Sequence, residues 1–153
     1  MFRDYAEISF AEKNRLITLD MYLKALKIAH RAHKSQTRKD SCVPYIVHPI
    51  RVSGYFNDDL RKTIAILHDI IEDTAVTLGD LAKVFPDNVV VVVGLLSKKK
   101  EEKYFDYIKK IALHETATEI KIADIVDNLS DTISIISPSM IDRYVKALNI
   151  LIK

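Results

Sequence analysis

The stretch PDNVVVVVGLLSKKK, residues 86–100, decides whether this chain folds as a mixed α/β or an all-α protein. Its five consecutive valines have high β-propensity and are typical of a buried strand. No other segment of the sequence offers a partner strand, however, and Pro86, Asp87 and Asn88 favour the start of a helix. We therefore predict a buried helix in this stretch and an all-α fold.

The remaining segments agree with that prediction. Glycine and proline are scarce, and apolar residues recur at the 3.6-residue spacing of amphipathic helices. Further helices are predicted within residues 18–36, 48–56, 58–74, 77–85, 102–113, 118–135 and 139–153. Side chains that favour helix starts predict the caps, namely Thr18 or Asp20, Asp58 or Asp59, Thr77, and Ser139.

Length and composition indicate one globular domain. A chain of 153 residues can bury its own core, and 48% hydrophobic with 29% charged residues is ordinary for such a domain. We predict a helical N-terminal extension over residues 1–17 and the domain itself over residues 18–153. A net charge of +2 predicts neither a nucleic acid nor a membrane surface as partner. The sequence does not predict the oligomeric state.

The numbers of cysteine and glycine residues exclude several kinds of binding site. Cys42 is the only cysteine, which excludes an intrachain disulfide and a thiolate metal site and favours the reducing cytoplasm. The opening MFRDYAEISF carries two acids before any apolar run, so we expect no signal peptide. The three glycines are isolated from one another, which excludes the glycine-rich phosphate-binding loops. A protein of this composition that binds phosphates needs side chains or a metal.

Histidine and acidic residues concentrate in LHDIIEDT, residues 67–74. On a continuous helix His68, Asp69, Glu72 and Asp73 lie within an arc of about 140°, opposite an apolar face. A solvated face of an amphipathic helix is the commoner explanation of such a pattern. Here, however, no lysine or arginine is interleaved, and clustered carboxylates repel one another unless a cation lies among them. A divalent metal would supply that charge.

Two distant segments carry complementary side chains. In KIADIVDN, residues 121–128, Asp124 and Asn128 lie one helical turn apart, although an ordinary polar helix face explains them equally well. In YIVHP, residues 45–49, His48 lies in a rigid apolar segment, where a hydrogen-bonded core histidine is the commoner alternative. Two imidazoles and two carboxylates form a mixed ligand set that suits Mn, Fe, Co, Ni or Zn better than Ca or Mg.

The order of these motifs resembles the HD-domain metal-dependent phosphohydrolases, in particular the hydrolase domain of the RelA/SpoT alarmone enzymes and its small stand-alone relatives. The matching segments are HKSQTRKD, VPYIVHPIRV, AILHDIIEDTAVTLGDL and KIADIVDN, which occur in the family's order between His33 and Asn128. A histidine–aspartate doublet alone would be weak evidence, whereas the ordered set is specific. The resemblance implies a single-domain helical bundle of the HD type.

The resemblance also implies roles for the matched residues. The metal, usually Mn²⁺ in this family, would be bound by four ligands: His48, His68, Asp69 and Asp124. Two acids would activate the nucleophilic water: Glu72 and Asp73. Three residues would contact the nucleotide: Arg38, Lys39 and Asn128. Tyr144 matches the family loosely, so stacking on a base and a role in the core are both open.

The implied reaction is hydrolysis of the 3′-pyrophosphate of guanosine 3′,5′-bis(diphosphate), ppGpp, to GDP and pyrophosphate. Two departures leave alternatives open. The loop RKDSCVP is one residue longer than its family counterpart and lacks glycine, and GLLSKKKEEKYFDYI replaces the family's G-V-T-K segment. Within the second segment, Lys98–Lys100 would bind phosphate or form a solvated turn. The alternatives are a hydrolase of another 2′-, 3′- or 5′-phosphorylated nucleotide and a non-catalytic nucleotide sensor, which would not need Glu72 and Asp73.

Overall fold

The computed structural model describes residues 9–39, 41–131 and 136–153, apart from the side chains of residues 10 and 14–18. Within these ranges the chain forms helices and a single isolated antiparallel bridge, Thr37–Pro44, which confirms the all-α prediction. The helices are α1 (Phe10–Ala32), α2 (Val47–Ser53), α3 (Asp59–Leu67), α4 (Ile70–Asp73), α5 (Leu78–Ala82), α6 (Asp87–Leu96), α7 (Tyr104–Ile111), α8 (Glu115–Ser130) and α9 (Pro138–Leu151).

The valine-rich stretch forms α6, as predicted, and begins directly after Pro86. One face of α6 is buried through Val89, Val92 and Val93, while Val91 on the opposite face is 57% exposed. The buried face packs against α3, α5 and α8. Burial of apolar side chains between helices therefore outweighs the β-propensity of the valines.

Two of the predicted caps are present. The Asp58 carboxylate accepts a hydrogen bond from the Arg61 N–H at the start of α3, with 2.8 Å between the atoms. At the start of α5, Thr77 and Asp80 form a reciprocal capping box, since each side chain accepts from the backbone N–H of the other. These caps satisfy N–H groups that the first turn of a helix leaves without partners.

Two other predicted caps were wrong. Helix α1 starts at Phe10, where Ser9 is the N-cap, so Thr18 and Asp20 lie inside the helix. Helix α9 is capped by Ser137, with Pro138 as its first residue, rather than by Ser139. Proline suits that position because its ring fixes φ and the missing N–H would have no helical partner. Since α1 crosses the boundary predicted at residue 17 and residues 1–8 lie outside the described ranges, the extension stays a prediction.

The predicted single helix over residues 58–74 is broken at His68 and Asp69. The Ala65 carbonyl accepts from the His68 ring Nδ1 at 2.6 Å and, more weakly, from the His68 backbone N–H at 3.4 Å. Helix α3 ends there and the short helix α4 begins at Ile70. The assumption of one continuous helix was therefore wrong, whereas the apolar face predicted opposite these polar residues is buried at Ile64, Leu67 and Ile70.

The core is arranged around α3 and α8. Helix α3 packs against α1, α2, α6 and α8, and its last five residues, 63–67, are all buried. Helix α8 also packs against α2, α7 and α9. None of the helices in the described ranges is long and apolar enough to cross a membrane. This packing brings α2, the turn after α3 and the middle of α8 together at one place.

Candidate metal and substrate site

Three buried side chains meet where these elements converge. His48 on α2, His68 after α3 and Asp124 on α8 are at most 5% exposed, and each offers one ligand atom within 4.8 Å of the others. The Asp69 Oδ2 atom lies 2.9 Å from His68 Nε2 and 3.6 Å from His48 Nε2. The structure thus places the four predicted metal ligands around one point.

Hydrogen bonds on the far side of each imidazole orient it toward this point. His68 Nδ1 donates to the Ala65 carbonyl at 2.6 Å, and His48 Nδ1 donates to Asp127 Oδ2 at 2.7 Å. In the neutral ring these bonds leave the lone pair on Nε2, which is how metal-binding histidines are commonly oriented. Both Nε2 atoms face Asp124 Oδ1, at 3.0 Å for His48 and 3.6 Å for His68.

The donor set fits a divalent transition metal. Among the described residues, His68 Nε2 is a buried polar atom without a hydrogen-bond partner, because its 2.9 Å approach to Asp69 Oδ2 lacks hydrogen-bonding geometry. A buried nitrogen in this condition costs free energy unless something binds it. A cation among two imidazole nitrogens and two carboxylates would bind it, and this mixture of nitrogen and oxygen suits Mn²⁺ and its neighbours.

The charges at the site also favour a bound divalent cation. Burial lowers the pKa of His68, but the carboxylates of Asp69 and Asp124 outweigh burial and raise it well above its usual value. Burial would raise the pKa of Asp124, but the Lys121 ammonium and both imidazoles hold it well below its usual range. Ionised carboxylates therefore favour the charged form of the imidazoles, and a divalent cation would neutralise the same negative charge.

The two predicted catalytic acids lie on α4, next to this ligand set. Burial, together with nearby carboxylates, raises the pKa of both Glu72 and Asp73. The Lys98 N–H donates to Glu72 Oε2 at 3.1 Å. The single hydrogen of the Tyr45 hydroxyl is shared between Asp69 Oδ2 at 2.6 Å and Asp73 Oδ2 at 3.1 Å. Each acid is thus oriented by a donor, and its raised pKa brings it closer to neutral pH, where a general base is most effective.

An open cavity of about 440 Å³ connects these groups. Nine of the ten predicted site residues line it, and the tenth, His68, lies buried with its ring centroid 5.2 Å from that of His48. The nine are Arg38, Lys39, His48, Asp69, Glu72, Asp73, Asp124, Asn128 and Tyr144. Their positions agree with one active site, while their individual roles stay predictions.

Two of the predicted nucleotide-binding residues, Arg38 and Asn128, are connected by hydrogen bonds to the candidate metal ligand Asp124. The Arg38 guanidinium donates to Asp131 Oδ2 at 2.8 and 3.1 Å and to Asn128 Oδ1 at 3.0 Å. Asn128 in turn donates to Asp124 Oδ1 at 2.7 Å. Lys39 and Tyr144 lie on the cavity wall. The ammonium of Lys98 donates to carbonyls of its own loop, so this part of the lysine run forms a turn.

Sequence reasoning assigned no role to several supporting residues. Lys121 and Asp127 lie three residues before and after Asp124 on α8, so a helical wheel centred on Asp124 indicates both. Tyr45 and Arg51 lie three residues before and after His48 in the matched segment VPYIVHPIRV. The pairing of Arg51 with Asp127, at 2.8 and 2.9 Å, joins α2 to α8, and no local pattern indicates that pairing.

The matched segment HKSQ supports α4 rather than the metal. The ring Nδ1 of His33 donates to Gln36 Oε1 at 2.6 Å, and the Gln36 amide donates to the backbone carbonyl of Asp73 at 2.7 Å. This two-step contact connects the end of α1 to the end of α4. It explains why a histidine and a glutamine accompany the acids in this sequence.

Comparisons with known proteins identify relatives of this chain. No model of a known protein family matches the chain. It is 34% identical over 138 residues to the guanosine-3′,5′-bis(diphosphate) 3′-pyrophosphohydrolase of Borreliella burgdorferi, covering 80% of this chain and 20% of that protein. It is 35% identical over 108 residues to the bifunctional (p)ppGpp synthase/hydrolase SpoT of Escherichia coli, covering 68% and 15%. The chain therefore spans about a fifth or less of these bacterial relatives.

One relative matches over about two thirds of its own length. The guanosine-3′,5′-bis(diphosphate) 3′-pyrophosphohydrolase MESH1 of Drosophila melanogaster is 32% identical over 126 residues, covering 72% of this chain and 68% of that protein. The solved structure of a metazoan ortholog of SpoT, which hydrolyses ppGpp and plays a role in starvation responses, superposes with a TM-score of 0.70 at 26% identity. That superposition covers 86% of this chain and 83% of the other. The chain thus belongs to the family of HD-type guanosine-3′,5′-bis(diphosphate) 3′-pyrophosphohydrolases.

Proposed function

We propose that this protein is a Mn²⁺-dependent enzyme that hydrolyses the 3′-pyrophosphate of ppGpp to give GDP and pyrophosphate. The observation that carries the proposal is the single cavity in which the ligand set, the two acids and Arg38 with Asn128 meet. The family relationship to MESH1 and to the SpoT ortholog supports the choice of substrate. A net charge of +2 and a single cysteine support a cytoplasmic enzyme whose partner is a small nucleotide rather than nucleic acid or a membrane.

The proposed reaction exchanges one bond to phosphorus for another. A water oxygen bonds to the phosphorus attached to the ribose 3′-oxygen, and the bond from that phosphorus to the 3′-oxygen breaks. The 3′-oxygen keeps the electron pair and takes up a proton, which gives GDP, while the water loses a proton and its oxygen leaves with pyrophosphate. A divalent metal held by the four ligands would supply positive charge to the diphosphate and lower the pKa of a water molecule.

The protein's own side chains would divide the remaining tasks. Glu72 and Asp73 would orient the water and accept its proton, because donors already hold one oxygen of each carboxylate and their pKa values are raised. Arg38 and Asn128 would hold the nucleoside, since both line the cavity beside Asp124. Lys39 and Tyr144 on the same wall would complete the nucleotide pocket.

A hydrolysis assay with defined metal content tests the proposal. Purified protein is stripped with a chelator, reloaded with Mn²⁺ and incubated with ppGpp, and the products are separated by anion-exchange chromatography. We expect GDP and pyrophosphate from the reloaded protein and none from the stripped protein. Other 2′-, 3′- and 5′-phosphorylated nucleotides are assayed in parallel. Turnover of one of these in preference to ppGpp would refute the assignment of ppGpp as the substrate. Nucleotide binding without any turnover would refute the proposal that the protein is an enzyme.

A further inference from the structure

A buried ammonium group lies in the cavity wall without an assigned role. Lys121 is on α8, one turn before Asp124, and its side chain is only 14% exposed. Its Nζ donates to Asp124 Oδ2 at 2.7 Å and lies 5.5 Å from the centre of the Tyr107 ring. Burying a lysine charge is costly unless paired charges or a bound anion offset the cost, so its position needs a reason.

Lys121 and the imidazole of His48 contact different oxygens of Asp124. Asp124 Oδ1 accepts hydrogen bonds from His48 Nε2 and from Asn128, whereas Lys121 donates to Oδ2. The contact with Oδ2 places the Lys121 ammonium next to the candidate ligand set, and so adjacent to whatever a metal there would bind.

The ammonium also has donors to spare. A lysine carries three N–H groups, and one of them is used by Asp124. The Tyr107 ring offers its π face to the charge but no hydrogen-bonding oxygen, because its hydroxyl donates to the Leu96 carbonyl. The side chain lines the cavity, so its remaining donors are available to a ligand there.

Lys121 lies beside the candidate metal ligands. It lines the same cavity as Glu72, and its ammonium is bonded to Asp124. Arg38 is held by Asp131 and Asn128. Besides His48, the basic side chains among the described cavity-lining residues are Arg38, Lys39 and Lys121, against four carboxylates. An anion bound at the ligand set would therefore lie next to Lys121.

We propose that Lys121 is a diphosphate-binding residue, whose ammonium is anchored on Asp124 and donates to oxygens of the diphosphate group at the metal site. The identity of this ligand rests on the proposed function. A charge-assisted hydrogen bond to phosphate strengthens as negative charge builds up on the phosphoryl oxygens, so the contact would favour the transition state as well as binding. Lys121 would thus be a catalytic residue of the same reaction.

The direct test measures binding of inorganic pyrophosphate to protein that is loaded with Mn²⁺ and freed of excess metal, by isothermal titration calorimetry. Lys121→Met should weaken binding about 10- to 100-fold, as expected for one lost hydrogen bond to a charged group. Lys121→Arg keeps the charge and should retain most of the affinity. The matched control is Lys110→Met, because the Lys110 ammonium also lies 5.5 Å from the Tyr107 ring but bonds to Glu102. It should bind pyrophosphate like the wild type.

Two outcomes would overturn the role of Lys121. One is a Lys121→Met variant that holds Mn²⁺ and binds pyrophosphate as tightly as the wild type. The other is a variant that folds but loses Mn²⁺, which would make Lys121 a support for Asp124 alone. If Lys121→Met does not fold, ¹⁵N-lysine NMR of the wild-type protein replaces it, with diamagnetic Zn²⁺ in place of Mn²⁺ because Mn²⁺ would broaden the signal of a nearby ammonium. The ammonium signal that is absent from Lys121→Arg must then shift on addition of pyrophosphate, and an unchanged signal refutes the contact.

The same measurements separate this inference from the proposed function. If the wild type binds pyrophosphate through Lys121 but does not hydrolyse ppGpp, the diphosphate contact is supported and the substrate is wrong. If the wild type hydrolyses ppGpp and Lys121→Met keeps its pyrophosphate affinity and its kcat/KM, the function is supported and the contact is refuted.

Discussion

Replacement of Asp127 by alanine tests whether the metal site depends on the hydrogen bond behind His48. Asp127 is 4% exposed and does not line the cavity. Its Oδ2 accepts from His48 Nδ1 at 2.7 Å, and its two oxygens accept from Arg51 at 2.8 and 2.9 Å. Alanine removes the acceptor that fixes the imidazole tautomer, so the lone pair of His48 would no longer be confined to the metal-facing nitrogen.

The size of the effect follows from these contacts. Loss of the partner that orients a metal-binding histidine typically costs 10- to 100-fold in metal affinity, or about 1.4–2.8 kcal/mol. Arg51 keeps a second carboxylate, since its NH2 group lies 3.2 Å from Asp131 Oδ2, so it is not left as an unpaired charge. We therefore expect Asp127→Ala to lower the metal affinity strongly and to lower the free energy of unfolding by a smaller amount. Asp127→Asn retains one acceptor oxygen and should lie between the wild type and alanine.

The Mn²⁺ affinity of each variant, measured by calorimetry or by electron paramagnetic resonance, shows whether metal binding depends on Asp127. Thermal unfolding is recorded for each variant. Asp142→Ala is the matched control, because Asp142 is 63% exposed on α9 and pairs with Lys146 at 2.8 Å, away from the cavity. The reasoning fails if Asp127→Ala is folded and binds Mn²⁺ as tightly as Asp142→Ala.

Four further predictions address the site and the helix caps. Asp69→Ala should abolish Mn²⁺ binding, which metal analysis after dialysis would show. Glu72→Gln should keep its Mn²⁺ and lose about 10²- to 10⁴-fold in ppGpp turnover, and normal turnover would exclude Glu72 as the base. Thr77→Ala removes a cap of α5 and should lower the free energy of unfolding by about 1 kcal/mol in urea titrations. Hydrogen bonds from Thr77 hold the pKa of Asp80 at about 2, below its usual 3.8. The ionised Asp80 carboxylate therefore stabilises the folded protein fully above pH 3.8, and this stabilisation is lost as the pH falls through about 2. The difference in melting temperature between the wild type and Asp80→Asn should shrink over that range.

The fold could be predicted where local and tertiary preferences agree. Asp58 and Thr77 were recognisable as caps because a cap acts within three residues of itself. Helix α6 was predictable against its β-propensity because a strand needs partners and the sequence offered none. Where several polar residues lie near a helix start, the pattern misled: it favoured Thr18 or Asp20 for α1 and Ser139 for α9, whereas Ser9 and Ser137 are the caps.

The candidate site shows the limit of local reasoning more clearly. The cluster around His68 and Asp69 indicated a metal, yet that reasoning assumed one continuous helix, which the structure breaks at these two residues. The partners of Asp127 come from α2, more than 70 residues away in sequence. Such pairings depend on the packing of α2 against α8, which no periodicity within one segment encodes.

That long-range packing joins the metal side of the site to the nucleotide side. Asp131 accepts from Arg51 at 3.2 Å and from Arg38 at 2.8 Å, so one carboxylate holds both guanidinium groups. Hydrogen bonds and ion pairs therefore form a closed circuit through His48, Asp127, Arg51, Asp131, Arg38, Asn128 and Asp124.

Groups that share hydrogen-bonded partners in a buried network do not respond independently when one of them is removed. Arg51 is released from one of its two carboxylates in Asp127→Ala, so its hold on Asp131, and through Asp131 the position of Arg38, should also change. The variant should therefore lose nucleotide affinity as well as metal affinity, even though Asp127 does not line the cavity. A change in metal affinity with unaltered nucleotide binding would show that the two halves of the circuit act separately.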